Sequence, residues 1–143
     1  MDNLSIKRKF SFDSSHRVLR HESKCRNLHG HRYDSIIEFS SKELDEIGRI
    51  WDFGEIKEIV GKWIDDNFDH NIILNNEDSE LVRFILNDES HYKNPYILEG
   101  NPTAENIAIE MMKRLSLISP FKILSIELFE TPNCSAKILN EKI

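Results

Sequence analysis

The stretch "CRNLHGHRY", residues 25–33, sets Cys25, His29, His31 and Tyr33 around Gly30. In an extended segment side chains alternate in direction, so two histidines at i and i+2 point to one side, near enough to share a metal ion. A third ligand is offered by His16 in "FDSSH", which follows the first apolar stretch and which an antiparallel return would bring beside the second. Three neutral imidazoles suit zinc, and three protein ligands leave one position open for substrate or water. Cys25 as a fourth ligand would instead close the site into a structural one. Spacing alone leaves both readings open. Further on, "FDHNIILN" puts Asp69 directly before His70. Neighbouring side chains point apart in regular structure, but a turn there would let the carboxylate orient the ring and raise its basicity. His21 and His91 have no partner legible in the sequence and read as surface residues.

These residues need elements to hold them. "LSIKRKFSF" alternates apolar and polar residues and predicts a strand over 4–12, and "HRYDSIIEF" predicts a second over 31–39 with His31, Tyr33, Ser35, Ile37 and Phe39 on one face. "EIGRIW" reads as an extension of that pairing after a turn. The period then changes. Phe53, Ile56, Val60, Trp63, Ile64 and Phe68 line one face of a helix, with Asp52 and Glu55 at capping-box spacing. Residues 75–101 are polar and turn-rich and read as an excursion with one apolar turn near Leu81–Leu86. A second helix opens after Pro102 with Thr103 as N-cap and a core face of Ala104, Ile107, Ala108, Met111 and Leu115. In "KILSIELFE", Leu124, Ile126 and Leu128 share a face with Glu130, so a carboxylate ends an apolar stripe and needs a partner. The expected architecture is α+β, two helices on one face of an antiparallel four-stranded sheet, in one domain over 1–143.

The chain has 143 residues and a formal net charge of −6. The charge is uneven. From Lys7 to Arg32 there are eight basic residues (Lys7, Arg8, Lys9, Arg17, Arg20, Lys24, Arg26, Arg32) against Asp13 and Glu22. A local basic cluster in an acidic chain fits a small polyanion such as a phosphate ester better than a nucleic-acid groove, which would interleave aromatic residues among its cations. Two cysteines are too few for a disulfide framework, and "MDNLSIKRKF" has no signal-peptide apolar core, so a cytoplasmic setting is expected. No apolar run approaches the roughly 20 residues that span a bilayer, so no membrane role is expected.

Six motifs in order, "FDSSH", "CRNLHGHRY", "WDFGEIK", "FDHNIILN", "NPTAENIA" and "ELFETP", resemble those of the 6-pyruvoyl-tetrahydropterin synthase family, most closely its carboxytetrahydropterin-forming branch of queuosine biosynthesis. The resemblance implies the tunnelling fold, with sheets joining into a barrel, a pocket at a subunit interface, and a homohexamer of two stacked trimers. It implies zinc on His16, His29 and His31, Cys25 as thiolate base, Asp69 and His70 as a proton-handling pair, and Glu130 on the pterin's guanidine-like edge. Thr103 and Arg26 would also contact substrate, the basic segment meeting the triphosphate. The implied reaction converts 7,8-dihydroneopterin triphosphate to 6-carboxy-5,6,7,8-tetrahydropterin, with acetaldehyde and triphosphate released. Pyruvoyl-forming relatives carry two more residues between the cysteine and the HGH element than the Cys25 to His29 interval here, and folate-pathway relatives place Glu where this chain has Leu28. A pyruvoyl-forming synthase and a zinc-stabilised binding module remain as alternatives.

Overall fold

The computed structural model describes residues 3–141. Strand β1 (Ile6–His16) pairs antiparallel with β2 (His29–Ser40), matching Ile6 to Phe39 at one end and His16 to His29 at the other. Both strands outrun their expected ends, because the polar "DSSH" run stays extended where partners on both sides take up its backbone groups. One of those partners is β3 (Asn71–Asn75), which lies parallel to β1. Helix α1 spans residues 53–67 as an α-helical turn (Phe53–Ile56), a π-helical segment (Lys57–Gly61) and a closing α-helical segment (Lys62–Asn67). Asp52 caps it by accepting from the Glu55 N–H, as the spacing predicts. An added Cβ on Gly61 would lie 3.1 Å from the Phe10 ring, so glycine allows the helix to sit this close to β1.

The segment 75–101 is not a bare excursion. It holds helix α2 (Ser79–Leu86) and strand β4 (Tyr96–Leu98), which pairs parallel with β3. Helix α3 (Ala104–Ile118) follows, capped by Thr103, and then β5 (Lys122–Thr131) and β6 (Cys134–Leu139) close an antiparallel hairpin beside β2. The sheet therefore has six strands, in the order β4-β3-β1-β2-β5-β6, and is mixed rather than four-stranded and antiparallel. β3 and β4 are short, β3 bounded by asparagines and β4 preceded by Pro95, which hides them from a periodicity argument.

Two further expectations fail locally. "EIGRIW" forms no strand: Asp45 accepts from the Ile47 and Arg49 N–H groups to make a turn, and Ile50 and Trp51 are buried as a plug. On β5 a bulge opposite Glu38 and Phe39 makes Leu124 the extra residue, so Ile123 takes the core position assigned to it. The α1 face holds except at its start, where Phe53 is about half exposed. One core joins Phe12, Tyr33, Ile37 and Phe39 of the sheet to Ile56, Val60 and Ile64 of α1 and to Ile107, Met111 and Leu115 of α3. Phe12 and Tyr33 stack at 5.0 Å between ring centroids. Among the described residues no helix is long and apolar enough to cross a membrane.

Segment 75–101 is tied to the end of β1 by charge. Asp78 is buried and receives both Nε and a terminal nitrogen of Arg17, the Nε bond being 2.6 Å. Removing only the cation would strand a buried carboxylate. Arg17→Ala should therefore cost about 3 kcal/mol in urea unfolding, the low end for orphaning a buried charge because Arg17 is itself partly exposed. A loss under about 1 kcal/mol would show the pair to be solvent-screened.

Candidate metal centre

The β1–β2 register places the three histidines. Residues facing each other across an antiparallel pair share a face, so His16 and His29 oppose one another, while Ser14 opposes His31 one step further in. All three rings stand on the helix-covered side, with centroids 4.6 to 5.1 Å apart, above the Tyr33 ring. One ligand atom from each of His16, His29 and His31 falls within 4.8 Å of the others.

The hydrogen bonds around the rings set which nitrogen is free. His16 Nδ1 lies 2.7 Å from the Pro102 carbonyl and His29 Nδ1 lies 2.6 Å from the Asn27 carbonyl. A carbonyl only accepts, so both Nδ1 atoms carry the hydrogen and both Nε2 atoms present bare lone pairs. Those two lone pairs face each other at 3.2 Å. Two acceptors at that separation call for a proton or a cation between them. His31 Nε2 is buried without a hydrogen-bond partner, 3.4 Å from Glu130 Oε1. Burial is the main cause holding His16 and His31 below the usual imidazole range; it outweighs the upward pull of the Pro102 carbonyl on His16 and of Glu130 on both, and the neighbouring rings add to it. Neutral imidazoles with converging lone pairs are what a metal ion requires, and these residues fit one. Burial, reinforced by Glu130, pushes the Tyr33 phenol well above its usual range, so it stays neutral beneath the cluster.

Cys25 sits in a short helical turn, Lys24–Arg26, partly buried and outside the three-histidine cluster. Arg26 beside it is exposed. The basic segment does not act as one surface: Lys9, Arg17, Arg20 and Arg32 pair with Asp34, Asp78, Glu77 and Asp13. Lys24 and Arg26, flanking Cys25, have no ion pair among the described residues. Glu130 reaches the centre from β5 and lines a cavity of about 400 Å³ with Ala104, Glu105, Cys134, Ser135, Ala136 and Lys137. Thr103 spends its hydroxyl on the α3 cap, accepting from the Asn106 N–H at 3.2 Å.

The Asp69–His70 pair forms as a turn would allow. His70 adopts φ 54°, which brings its Nδ1 to 2.8 Å from Asp69 Oδ2. Asp69 Oδ1 accepts from the Asp13 N–H, and the His70 N–H donates to the Asp13 carbonyl. Burial opposes ionisation of Asp69, but the Asp13 N–H and the His70 ring together hold its carboxyl below the usual range. Asp13 points to the sheet face opposite His16, bridging to Arg32, and its carboxylate clusters with Asp69 and His70. Within one chain the pair therefore lies across the sheet from the histidine centre. Sequence reasoning missed the Pro102 and Asn27 carbonyls, since any residue supplies a carbonyl and only the fold aims it.

A three-histidine centre at the end of a strand pair, with a carboxylate-lined cavity beside it on an α+β scaffold, defines a metal-binding enzyme-like site. The family model for 6-pyruvoyl tetrahydropterin synthase matches residues 5–141, and the chain belongs to that family. It is 43% identical over 136 residues to the 6-carboxy-5,6,7,8-tetrahydropterin synthase of Rickettsia bellii, covering 92% of this chain and 96% of that protein. An uncharacterised protein of Wolinella succinogenes has a similar crystal structure, with a TM-score of 0.80, 27% identity, and coverage of 96% of this chain and 98% of that one. The 6-pyruvoyl tetrahydropterin synthase of Caenorhabditis elegans shares the fold at a TM-score of 0.68 and 21% identity, over 96% of each chain.

His29→Ala should remove the facing lone pair and with it most bound metal. Elemental analysis of the purified protein is expected to fall from about one bound metal ion per chain to near none. Full occupancy in that variant would show that the ligand set is wrong.

Proposed function

We propose that this protein is a zinc-dependent lyase converting 7,8-dihydroneopterin triphosphate and water to 6-carboxy-5,6,7,8-tetrahydropterin, acetaldehyde and triphosphate, a step that would belong to queuosine biosynthesis. The observation that carries the reading is the meeting of one ring nitrogen from each of His16, His29 and His31 within 4.8 Å, beside a cavity that Glu130 lines. Zinc held by these three histidines would supply Lewis acidity toward the substrate's side-chain hydroxyls. Glu130 would accept a pair of charge-assisted hydrogen bonds from the pterin's guanidine-like edge and set the side chain's direction. Cys25, carried on its own turn between Lys24 and Arg26, would take the carbon-bound proton. Lys24 and Arg26, which flank Cys25 and have no ion pair among the described residues, would meet the triphosphate, and Thr103 would border the pterin at the α3 N-terminus.

Asp69 and His70 stand across the sheet from their own chain's centre. In our reading they handle a proton at the centre of a neighbouring copy, which is the arrangement a homohexamer of two stacked trimers with interface pockets would provide.

Cys25→Ala should keep its zinc and lose turnover by at least about a hundredfold, the scale of a general base. Metal loss in that variant would mean a closed, structural site. The deciding assay is product analysis with 7,8-dihydroneopterin triphosphate. Acetaldehyde and triphosphate should appear in equal amounts with a pterin of carboxy mass. Triphosphate without acetaldehyde, and a pterin of pyruvoyl mass, would establish the pyruvoyl-forming reaction instead.

A further inference from the structure

The loop that joins the His16 strand end to the Cys25 turn is fastened at Leu19 to one side chain. Asn101 Oδ1 accepts from the Leu19 N–H at 2.9 Å and from Asn75 Nδ2 at 3.0 Å, while its Nδ2 donates to the Leu19 carbonyl at 2.9 Å. One amide thus grips both backbone groups of Leu19, as a paired strand residue would. The grip is passed on: the Val18 N–H donates to the Cys25 carbonyl at 2.9 Å, closing the loop that carries the thiol. Arg20 in that loop is held at φ 67°, a conformation that costs free energy for a side chain with a Cβ and needs outside support.

The backbone of Asn101 adjoins Pro102, whose carbonyl reaches His16. The Asn101 carbonyl accepts from the Thr103 N–H at 2.8 Å and from Asn106 Nδ2 at 2.9 Å. Those two bonds fix the turn between Gly100, at φ 125°, and the α3 cap, and so aim the Pro102 carbonyl at His16 Nδ1. Asn75, buried and also accepting from the Glu77 N–H, braces the amide from β3. Every hydrogen-bonding group of the Asn101 side chain except one amide hydrogen is therefore committed to this junction.

We propose that Asn101 is a positioning residue, fixing the distance between the Cys25 thiol and the His16 side of the metal centre. The inference rests on the reading of Cys25 as the base. A base misplaced by about 1 Å loses up to roughly a hundredfold in rate, so the junction matters to chemistry more than to folding.

The test uses the metal-loaded protein. In Asn101→Ala, kcat on 7,8-dihydroneopterin triphosphate should fall about 30-fold while KM moves less than about threefold and zinc content stays at the parent's level. Alkylation of Cys25 by iodoacetamide, read at that residue by peptide mass spectrometry, should quicken at least about tenfold as the loop opens. Asn101→Asp keeps the shape and the acceptor for the Leu19 N–H but sets a carboxylate oxygen against the Leu19 carbonyl, so it should show the same two changes even if the alanine variant folds poorly. Unchanged Cys25 alkylation in both variants overturns the proposal, and so does zinc loss in both, which would make Asn101 a support for His16 alone. Faster alkylation with unaltered kcat also overturns it. Should the parent prove inactive on this pterin, the alkylation arm still decides the clamp, and the failure belongs to the proposed reaction.

Discussion

The pairing of His16 with His29 at the end of β1 and β2 is the constraint on which the site depends. In an antiparallel pair a slip of one residue sends every side chain on a strand to the opposite face. Here that would carry His29 and His31 to the uncovered side and leave His16 alone. The register is secured by apolar packing, by Phe12 stacked on Tyr33 directly beneath the histidines and by Ile37 and Phe39 packed under α1 and α3. Burying that apolar set fixes which face the strand presents, and the metal centre follows from it.

Around that pairing the protein spends hydrogen bonds on the back of each ring. The Pro102 and Asn27 carbonyls fix the Nδ1 hydrogens of His16 and His29, and burial keeps His16 and His31 neutral. Two facing lone pairs, with a third unpartnered ring nitrogen 3.4 Å from a carboxylate, make an arrangement that is poor without a cation and good with one. The segment between β3 and α3 contributes to this order. Asp78 holds Arg17, Asn101 holds Leu19, and Lys93 donates to the Asp65 and Asp69 carbonyls at the end of α1.

The two faces of the sheet divide the chemistry. The covered face carries the histidines, and the uncovered face carries Asp13, Asp69 and His70 with Arg32. Alternation along β1 produces that division directly, because Asp13 and His16 differ by an odd number of residues.

Much of the site was legible in the residues. The i, i+2 spacing of His29 and His31, the position of His16 after an apolar strand, Glu130 at the end of an apolar stripe, the Asp52 and Thr103 caps and the α3 face all follow from local periodicity. Strands β3 and β4 and the β5 bulge were not, because a three- or five-residue strand carries too little pattern to separate from a loop. Nor could the sequence place Asp69 and His70 across the sheet, aim the Pro102 carbonyl at His16, or join Leu19 to Asn101. The sequence by itself determined the chemical types and the local faces, since both depend on residues within a few positions of one another. Only the tertiary structure decided which backbone carbonyls orient those groups and which face meets which, because contacts across more than 80 positions depend on how the strands pair and the helices pack.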